Sequence, residues 1–372
     1  MMYKYFFACL EEFGGTVMRR LLAIYGNEET VYKSVGENLI TAKVITEKQY
    51  EMFAKHKKAF DPEKEYEIFV NKYPEMKLVT MNMANYPERL KNIPMLPYGL
   101  FYYGELPKDD NPAIAIIGSR ACSSYGRDMA KYFGAEMAKN GVTVISGMAS
   151  GIDGISQKAA VDEGGESYGI LGSGADVCYP AGNKALYEML KEKGGIISEY
   201  PPGTKPINTN FPKRNRIISG LSDIVLVIES RMRSGTSITV NMALEQGRDV
   251  FAVPGRNTDE LSRGCNNLIR EGAGVATDAE CILGQLTTIF ASKGKKWRCG
   301  DYGAMEKYMI SGLSDNQIKI FEYLKQKGQQ SGIEDIYSGL QGIMPVNIIM
   351  VELMEMTIKG IVKEHGGRYE VL

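Results

Sequence analysis

Short loops rich in glycine and serine recur after apolar runs of the sequence. Gly118-Ser119-Arg120 follows one such run, and Ser146-Gly147 and Ser234-Gly235-Thr236 follow two others. Small residues allow backbone N–H groups to approach an anion, hydroxyl groups add donors, and the helix that begins after each loop adds the positive end of its dipole. These loops therefore predict a surface that accepts phosphate groups.

A basic segment with an aromatic residue supplies cations for such a surface. It reads Phe211-Pro212-Lys213-Arg214-Asn215-Arg216, with Lys205 upstream. Between residues 205 and 270 ten lysines and arginines stand against six acids. Single-stranded nucleic acid is bound by cations that neutralise its backbone and by rings that stack on its bases. Salt bridges at the start of a surface helix are the alternative use of the same cations.

Apolar, β-branched runs alternate with helical segments between residues 77 and 285. Their hydrophobicity is continuous, which indicates strands that are buried on both faces. The expected strands are 113–117, 142–145, 167–171, 196–199, 224–228 and 250–253. The strand, helix, strand repetition predicts an α/β fold with a doubly wound parallel sheet, whose ligands bind at the carboxyl ends of the strands.

The pattern changes near residue 75 and again near residue 291, which predicts separate units. We expect a small helical domain of the SAM-like or helix-hairpin-helix-like type, the sheet domain, a linker, and three helices with a hairpin that form a winged-helix domain. Their ranges are 1–75, 76–290, 291–312 and 313–372. The predicted recognition helix carries only Lys359 as a nearby cation, which favours protein interaction over tight binding of duplex DNA.

Composition excludes several classes of function. The 372 residues carry 44 lysines and arginines against 45 acids, so nucleic-acid binding requires local clustering of charge. No apolar run approaches the length of a membrane span, and we expect a cytoplasmic protein. The six cysteines lack CxxC spacing and the two histidines, His56 and His365, lie near the ends, so no metal site or His-based catalytic triad is expected.

The first glycine-rich loop is not a dinucleotide fingerprint. Arg120 stands where G-x-G-x-x-G requires its second glycine. A large cationic side chain there obstructs a close approach of pyrophosphate but can itself hold a phosphate. An NAD-dependent dehydrogenase is therefore disfavoured, and no cofactor is expected.

Several motifs occur together in the order that is typical of one family. The sequence resembles the DprA/Smf family (DNA-processing protein A) between about Tyr86 and Ala273. The motifs are Tyr86-Pro87-Glu88-Arg89-Leu90, Gly118-Ser119-Arg120, Ser146-Gly147-Met148-Ala149-Ser150-Gly151-Ile152-Asp153, Asp176 with Tyr179-Pro180, Ser198-Glu199-Tyr200, the basic hexapeptide with Ile217-Ile218-Ser219-Gly220-Leu221, Glu245-Gln246-Gly247-Arg248, Val253-Pro254-Gly255 and residues 264–273.

The resemblance implies a protein that binds single-stranded DNA on an extended Rossmann domain. Such a protein protects incoming strands in natural transformation and helps to load the RecA recombinase. It implies phosphate contacts from Arg120, Lys213, Arg214 and Arg216, with the serine and glycine loops lining the same pocket. It also implies a homodimer through the Rossmann domain, at a contact that includes Asn266, Leu268, Ile269 and Val275.

Two positions depart from the family pattern. Gln157 stands where the family commonly has histidine, and Ala181 stands where a cation is often found. Lys184 is the candidate that substitutes for the missing cation.

The rival interpretation is an enzyme. Nucleotide-cleaving phosphoribohydrolases of the LOG type share the fold and carry a Pro-Gly-Gly-x-Gly-Thr loop followed by a catalytic glutamate. Here Ser234-Gly235-Thr236 is followed by no acid before Glu245. General acid–base chemistry needs a carboxylate within hydrogen-bond reach of the sugar. Asp153 and Glu199 are the other candidates, and both are equally suited to cap helices or orient arginines.

Overall fold

The chain folds into two compact units, Met1–Thr277 and Asp278–Leu372. This computed structural model describes residues 1–10, 13–295, 297, 313–327, 330–340 and 343–371. Most of the predicted linker, namely residue 296 and residues 298–312, lies outside the described residues. The predicted domain boundaries at residues 75, 290 and 312 stay predictions.

A nine-stranded sheet forms the centre of the first unit. Its strands are β1 (Lys77–Thr80), β2 (Gly99–Gly104), β3 (Ala113–Ile117), β4 (Thr143–Ser146), β5 (Ser167–Leu171), β6 (Gly194–Ser198), β7 (Ile224–Val227), β8 (Asp249–Ala252) and β9 (Gly274–Val275). They are ordered β1-β2-β6-β5-β4-β3-β7-β8-β9. The seven strands from β6 to β9 in this order are mutually parallel. The α/β fold with a mostly parallel sheet is therefore confirmed.

Helices flank the sheet and precede it. They are α1 (Met2–Ala8), α2 (Gly15–Tyr25), α3 (Glu28–Ser34), α4 (Asn38–Thr41), α5 (Glu47–Ala59), α6 (Pro62–Lys72), α7 (Ser124–Lys139), α8 (Ile152–Asp162), α9 (Lys184–Glu192), α10 (Asn210–Leu221), α11 (Gly235–Glu245) and α12 (Arg263–Arg270). Short 3-10 helices cover Glu88–Leu90 and Ala181–Asn183. None of the helices in the described ranges is long and apolar enough to cross a membrane.

The chain direction explains where a ligand cleft can form. From β3 the chain builds outward through β4, β5 and β6, and it then returns across the sheet through α10 to β7, on the other side of β3. The strand order therefore reverses between β3 and β7. In open α/β sheets the loops diverge at such a point and leave a crevice at the carboxyl ends of the strands.

The N-terminal helices share one hydrophobic core with the sheet. Phe6, Phe7 and Phe53 of these helices belong to the same buried cluster as Leu100 of β2 and Val225 of β7. Helix α5 begins with a capping box, in which the Thr46 hydroxyl accepts from the backbone N–H of Gln49 at 3.2 Å. The helical segment and the sheet thus lie in one compact unit.

The second unit contains four helices in its described residues and a small antiparallel sheet. The elements are α13 (Ala279–Ser292), α14 (Asp315–Lys327), β10 (Ser331–Gly332), α15 (Ile333–Gly339), α16 (Val346–Ile358), β11 (Val362–His365) and β12 (Arg368–Val371). The sheet order is β10-β12-β11. The hydrophobic core of this unit contains Ile320, Phe321, Ile349 and Leu353. The predicted three helices and hairpin are present, and the assignment to the winged-helix class stays a prediction.

Candidate nucleic-acid interface

A cleft of about 530 Å³ opens at the point where the strand order reverses. We call it the switch-point cleft. Its walls come from the loop after β3, the start of α8, the first turns of α10 and the start of α11. The lining includes Gly118, Ser119, Arg120, Ala149, Asp153, Phe211, Arg214, Asn215, Arg231, Ser234, Gly235 and Thr236.

The loop after β3 is held by the buried carboxylate of Glu229. That carboxylate accepts a hydrogen bond from the backbone N–H of Ser123 at 2.9 Å and another from the Ser123 hydroxyl. The carbonyl of Glu229 accepts from the N–H of Ser119 at 2.9 Å. Gly118 is required sterically, because a Cβ there would lie 2.7 Å from a side-chain carbon of Ile152. The loop is therefore fixed before any ligand arrives.

Arg120 projects from this fixed loop as an exposed side chain. Within the described part of the chain its guanidinium makes no hydrogen bond or ion pair, and the guanidinium carbon lies 5.6 Å from the centroid of the Phe211 ring. All five N–H groups are thus open to a ligand. An exposed guanidinium of this kind is suited to bidentate contact with phosphate.

Arg214 is also a cation of this cleft, but it is buried. Its Nη1 donates to the carbonyl of Gly147 at 2.9 Å and to the carbonyl of Ile170, and its Nε donates to Asn215 Oδ1 at 3.2 Å. Burial lowers its pKa to about 10, while the charge of Asp153 opposes that shift. Arg214 therefore ties α10 to the ends of β4 and β5 and adds positive potential beneath the cleft.

Asp153 is the buried counter-charge of Arg214. Its Oδ2 accepts from the N–H of Gly147 at 3.1 Å. Burial raises the pKa of Asp153, and the nearby Arg214 guanidinium partly offsets this. Gly147 must lack a side chain, because a Cβ there would lie 2.7 Å from Arg214 Nη2.

Phe211 lies at the start of α10 and is surrounded by cations and by one more ring. The guanidinium carbons of Arg120 and Arg214 are 5.6 and 5.9 Å from its ring centroid. The Tyr179 ring is 5.5 Å away, at an angle of 30°. Phe211 was predicted from the sequence, whereas Tyr179 had no predicted role, since it lies 32 positions earlier in the chain.

The first turn of α11 forms another part of the cleft wall. Ser234 precedes the helix, and its hydroxyl shares a hydrogen bond of 2.8 Å with that of Ser230. Gly235 and Thr236 line the cleft at the positive end of the helix dipole. The predicted convergence of this loop with Gly118-Ser119-Arg120 is thus seen in the structure.

Two of the predicted loop residues do not line the cleft. The Ser146 hydroxyl is buried and donates to the carbonyl of Ile116 at 2.6 Å. Gly147 lies behind Arg214 and Asp153, to which both its carbonyl and its N–H are bonded. Both residues support the cleft from beneath.

Arg216 does not join Arg120 and Arg214. It is buried on another face of α10, where Nη2 contacts both carboxylate oxygens of Glu199 at 2.7 Å and Nε donates to the carbonyl of Met95 at 2.7 Å. With Lys213 it lines a second cleft of about 620 Å³. The hexapeptide is helical, so its cations point in different directions.

Lys184 and Lys205 are exposed and line neither cleft. The ammonium group of Lys184 pairs with Glu188 one helical turn along α9. Gln157 is fully buried, where its Oε1 accepts from the N–H of Met148 at 3.1 Å and its Nε2 donates to the carbonyl of Tyr168 at 2.9 Å. Gln157 therefore holds the β4–α8 loop rather than facing a ligand. Ala181 lies in the 3-10 helix and does not line the switch-point cleft.

The predicted dimer residues lie around β8, α12 and β9. Asn266 is bonded to both backbone polar groups of Gly255, at 3.2 and 2.9 Å. Leu268 and Ile269 are partly buried against the core of their own unit. Val275, on the edge strand β9, is 42% exposed.

Comparison with known proteins gives the family that the sequence motifs predicted, and the match covers most of the first unit. Residues 77–287 match the family model of DNA recombination-mediator protein A. DNA processing protein DprA of Streptococcus pneumoniae is 43% identical over 201 residues, which are 54% of this chain and 71% of that protein. Protein Smf of Escherichia coli is 36% identical over 297 residues, 80% of this chain and 77% of that protein.

Two solved structures resemble the present one. The X-ray structure of DNA processing protein A from S. pneumoniae has a TM-score of 0.66 at 32% identity and covers 77% of this chain and 98% of its own. The structure of DNA processing protein A from Helicobacter pylori, reported for its single-stranded DNA binding mode, has a TM-score of 0.51 at 26% identity. It covers 58% of this chain and 97% of its own. The strand order, the switch-point cleft and these matches together place the chain in the DNA recombination-mediator protein A family.

Proposed function

We propose that this protein binds single-stranded DNA across the switch-point cleft and acts as a recombination mediator. The observation that carries the proposal is the exposed guanidinium of Arg120 beside the ring of Phe211, in a cleft that is also lined by the start of α11. A cation, an aromatic ring and helix N–H groups in one cleft match the phosphate and base of a single strand.

Two features predict the selectivity of this binding. Stacking requires an open base face, which a duplex hides, so single strands are preferred. Phosphate contacts carry no base information, so the sequence dependence is weak. The switch-point cleft is favoured over the larger second cleft because the buried cation there, Arg216, is already paired with Glu199.

The proposed role is binding rather than catalysis. Asp153 is the one acid that lines the switch-point cleft in the described chain, and its carboxylate already accepts from Gly147 and faces Arg214. Glu199 holds Arg216, and Glu229 holds the loop after β3. Cleavage of nucleotides would require one of these carboxylates to leave its structural partner. Incubation with nucleoside monophosphates, followed by analysis for free base, is expected to yield none.

Membership of the family supports three further proposals. Bound DNA is passed to the RecA recombinase, with which the protein makes direct contact. Two copies associate through the edge of the sheet at β9, where Val275 is exposed. The protein works in the cytoplasm, where incoming DNA and RecA meet.

A competition assay tests the proposed DNA binding. A labelled single-stranded oligonucleotide is bound, and unlabelled single-stranded or duplex competitor of the same sequence is added at several salt concentrations. The single strand is expected to compete far better at every salt concentration. Equal competition by duplex DNA would contradict the proposed role of stacking.

A further inference from the structure

An exposed tyrosine continues the aromatic surface beyond the switch-point cleft. The ring of Tyr179 is 5.5 Å from that of Phe211, with the planes inclined by 30°. Phe211 is half-buried and has two guanidinium groups over its ring, whereas Tyr179 is 42% exposed. The larger open ring surface therefore belongs to Tyr179.

The loop that carries Tyr179 is fixed on both sides. Before it, the carboxylate of Asp176 accepts from the N–H of Gly203 at 2.8 and 3.0 Å, and the Tyr187 hydroxyl donates to the carbonyl of Ala175 at 2.7 Å. After it, the Asn183 amide donates to the carbonyl of Met148 at 2.9 Å. The ring is thus held in place without a ligand, which reduces the ordering cost of a stacked contact.

The surroundings of Tyr179 distinguish it from an ordinary surface tyrosine. Single exposed aromatic residues are common and need no explanation. Here, however, the exposed ring packs on a second ring, and that ring packs on Arg120 and Arg214. Within the described chain the Tyr179 hydroxyl makes no hydrogen bond, so the ring is not anchored through its polar end.

We propose that Tyr179 is the outer stacking platform for an unpaired nucleobase, with Phe211 as its support. This inference rests on the proposed binding of single-stranded DNA and names the residue that contacts a base. The ring contributes through its face and carries no charge, so its loss changes affinity without changing the number of neutralised phosphates. A phenylalanine at the same position would retain the platform.

The test uses a single-stranded oligonucleotide with one 2-aminopurine, placed at successive positions, whose fluorescence falls when the base stacks. The full-length protein is compared with Tyr179→Ala, Tyr179→Phe and Arg120→Ala. Tyr337→Ala is the matched control, because Tyr337 is 41% exposed and lies in the second unit. Thermal unfolding of each variant checks that the fold is retained.

Tyr179→Ala is expected to weaken binding roughly 5- to 150-fold, to abolish the fluorescence loss at one oligonucleotide position and to leave the salt dependence unchanged. Tyr179→Phe and Tyr337→Ala are expected to bind like the parent. If Tyr179→Ala binds and quenches like the parent while Arg120→Ala weakens binding, the assignment of Tyr179 is wrong, and the switch-point cleft is retained as the proposed DNA site. If both variants bind like the parent, the DNA site itself is wrong.

Discussion

Three arginines near the candidate interface have three different surroundings. Arg120 is exposed, makes no hydrogen bond or ion pair among the described residues, and lies over the ring of Phe211. Arg214 is buried and bonded to strand-end carbonyls, and Arg216 is buried and paired with Glu199. Side-chain type alone therefore does not define a phosphate contact, since the direction in which α10 presents each residue decides its role.

Replacing Arg214 is expected to lower the stability of the folded protein, whether or not a ligand is present. Arg214→Ala leaves the charge of Asp153 buried without its partner and removes the donors to the carbonyls of Gly147 and Ile170. Leaving a buried charge without compensation costs about 3–5 kcal/mol. Arg120→Ala, at an exposed position, should change the free energy of unfolding by less than about 0.5 kcal/mol. Urea unfolding measures the free energy of unfolding of each variant. Equal stability of the two variants would contradict a structural role for the buried Arg214 side chain.

Replacing Phe211 is expected to weaken DNA binding without changing its salt dependence. Phe211→Ala removes the ring between Arg120 and Tyr179 and removes no charge. Because Phe211 supports the proposed Tyr179 platform, the loss should be about 1–3 kcal/mol of binding free energy, the range for one base stacked on an aromatic ring. Titration of an oligonucleotide at several salt concentrations measures it. A flatter salt slope would mean that Phe211 instead orders the phosphate-binding cations.

One cysteine of the first unit, Cys265, is expected to resist thiol reagents in the folded protein, because it is fully buried. Burial raises the pKa of its thiol to about 12. The thiolate is the reactive form, and at pH 8 its population is very small when the pKa is this high. Alkylation at pH 8 followed by mass spectrometry should modify Cys265 only after unfolding. Rapid modification of Cys265 in the native protein would show that the surrounding core opens.

At the scale of elements, the crossover helix α10 organises the interface. It carries the chain from β6 to β7, so its first turns pass the ends of the intervening strands. Phe211 and Arg214 face the switch-point cleft, and Lys213 and Arg216 face the second cleft. One helix thus separates two clefts, and only one of them combines an exposed arginine with an aromatic ring over which that arginine lies.

The exposed edge strand β9 leads to a prediction about association. Val275→Glu places a charge at the proposed dimer contact, where desolvation without a partner should weaken association by a few kcal/mol. Leu268 and Ile269 pack against their own core, so the monomer is expected to remain folded. Light scattering measures the mass. Val70→Glu is the control, because Val70 on α6 is 44% exposed; a dimer that persists in Val275→Glu would place the contact elsewhere.

Strand prediction succeeded for segments with a continuous apolar, β-branched run and failed for segments without one. All six strands predicted from continuous apolar runs are present: 113–117 and 167–171 have the predicted ends, and the ends of the other four differ by at most two residues. Strands β1 and β2 pair antiparallel at one side of the sheet and are almost entirely buried. They were missed because lysine and threonine in β1, and glycines and tyrosines in β2, leave no continuous apolar, β-branched run. Strand β9, with two residues, is too short for any periodicity.

The loops of the candidate site were predicted from the sequence, whereas the directions of its side chains were not. The loops after β3 and before α11 are continuous in sequence, and their convergence follows from parallel strands ending at one edge. The outward position of Arg120 and the inward positions of Arg214 and Arg216 depend on contacts with distant residues, such as Ile170 and Glu199. Tyr179 was missed because only the tertiary fold brings it to Phe211.

At the scale of the whole molecule, the composition of the predicted linker indicates where the chain is cleaved first. We expect limited proteolysis to cut first within residues 291–312, because this stretch is rich in lysine and glycine and separates two hydrophobic cores. The N-terminal helices share the core of the sheet, so no early fragment should begin near residue 75. Mass spectrometry of the fragments identifies the first cleavage site and shows whether any early fragment begins near residue 75. An early cut near residue 75 would show that the helical segment is held less tightly than its shared core implies.

The most direct test of the central claim is the salt dependence of binding to a single-stranded oligonucleotide. Each phosphate contact contributes about 0.7 to the slope of log K against log salt for a single strand. Arg120→Ala should therefore flatten the slope by about 0.7. Lys193→Ala removes an exposed cation next to the amino end of β6, at the opposite edge of the sheet, and should leave the slope unchanged. Parent-like affinity and slope in Arg120→Ala, or an equal loss in both variants, would contradict phosphate binding at the switch-point cleft.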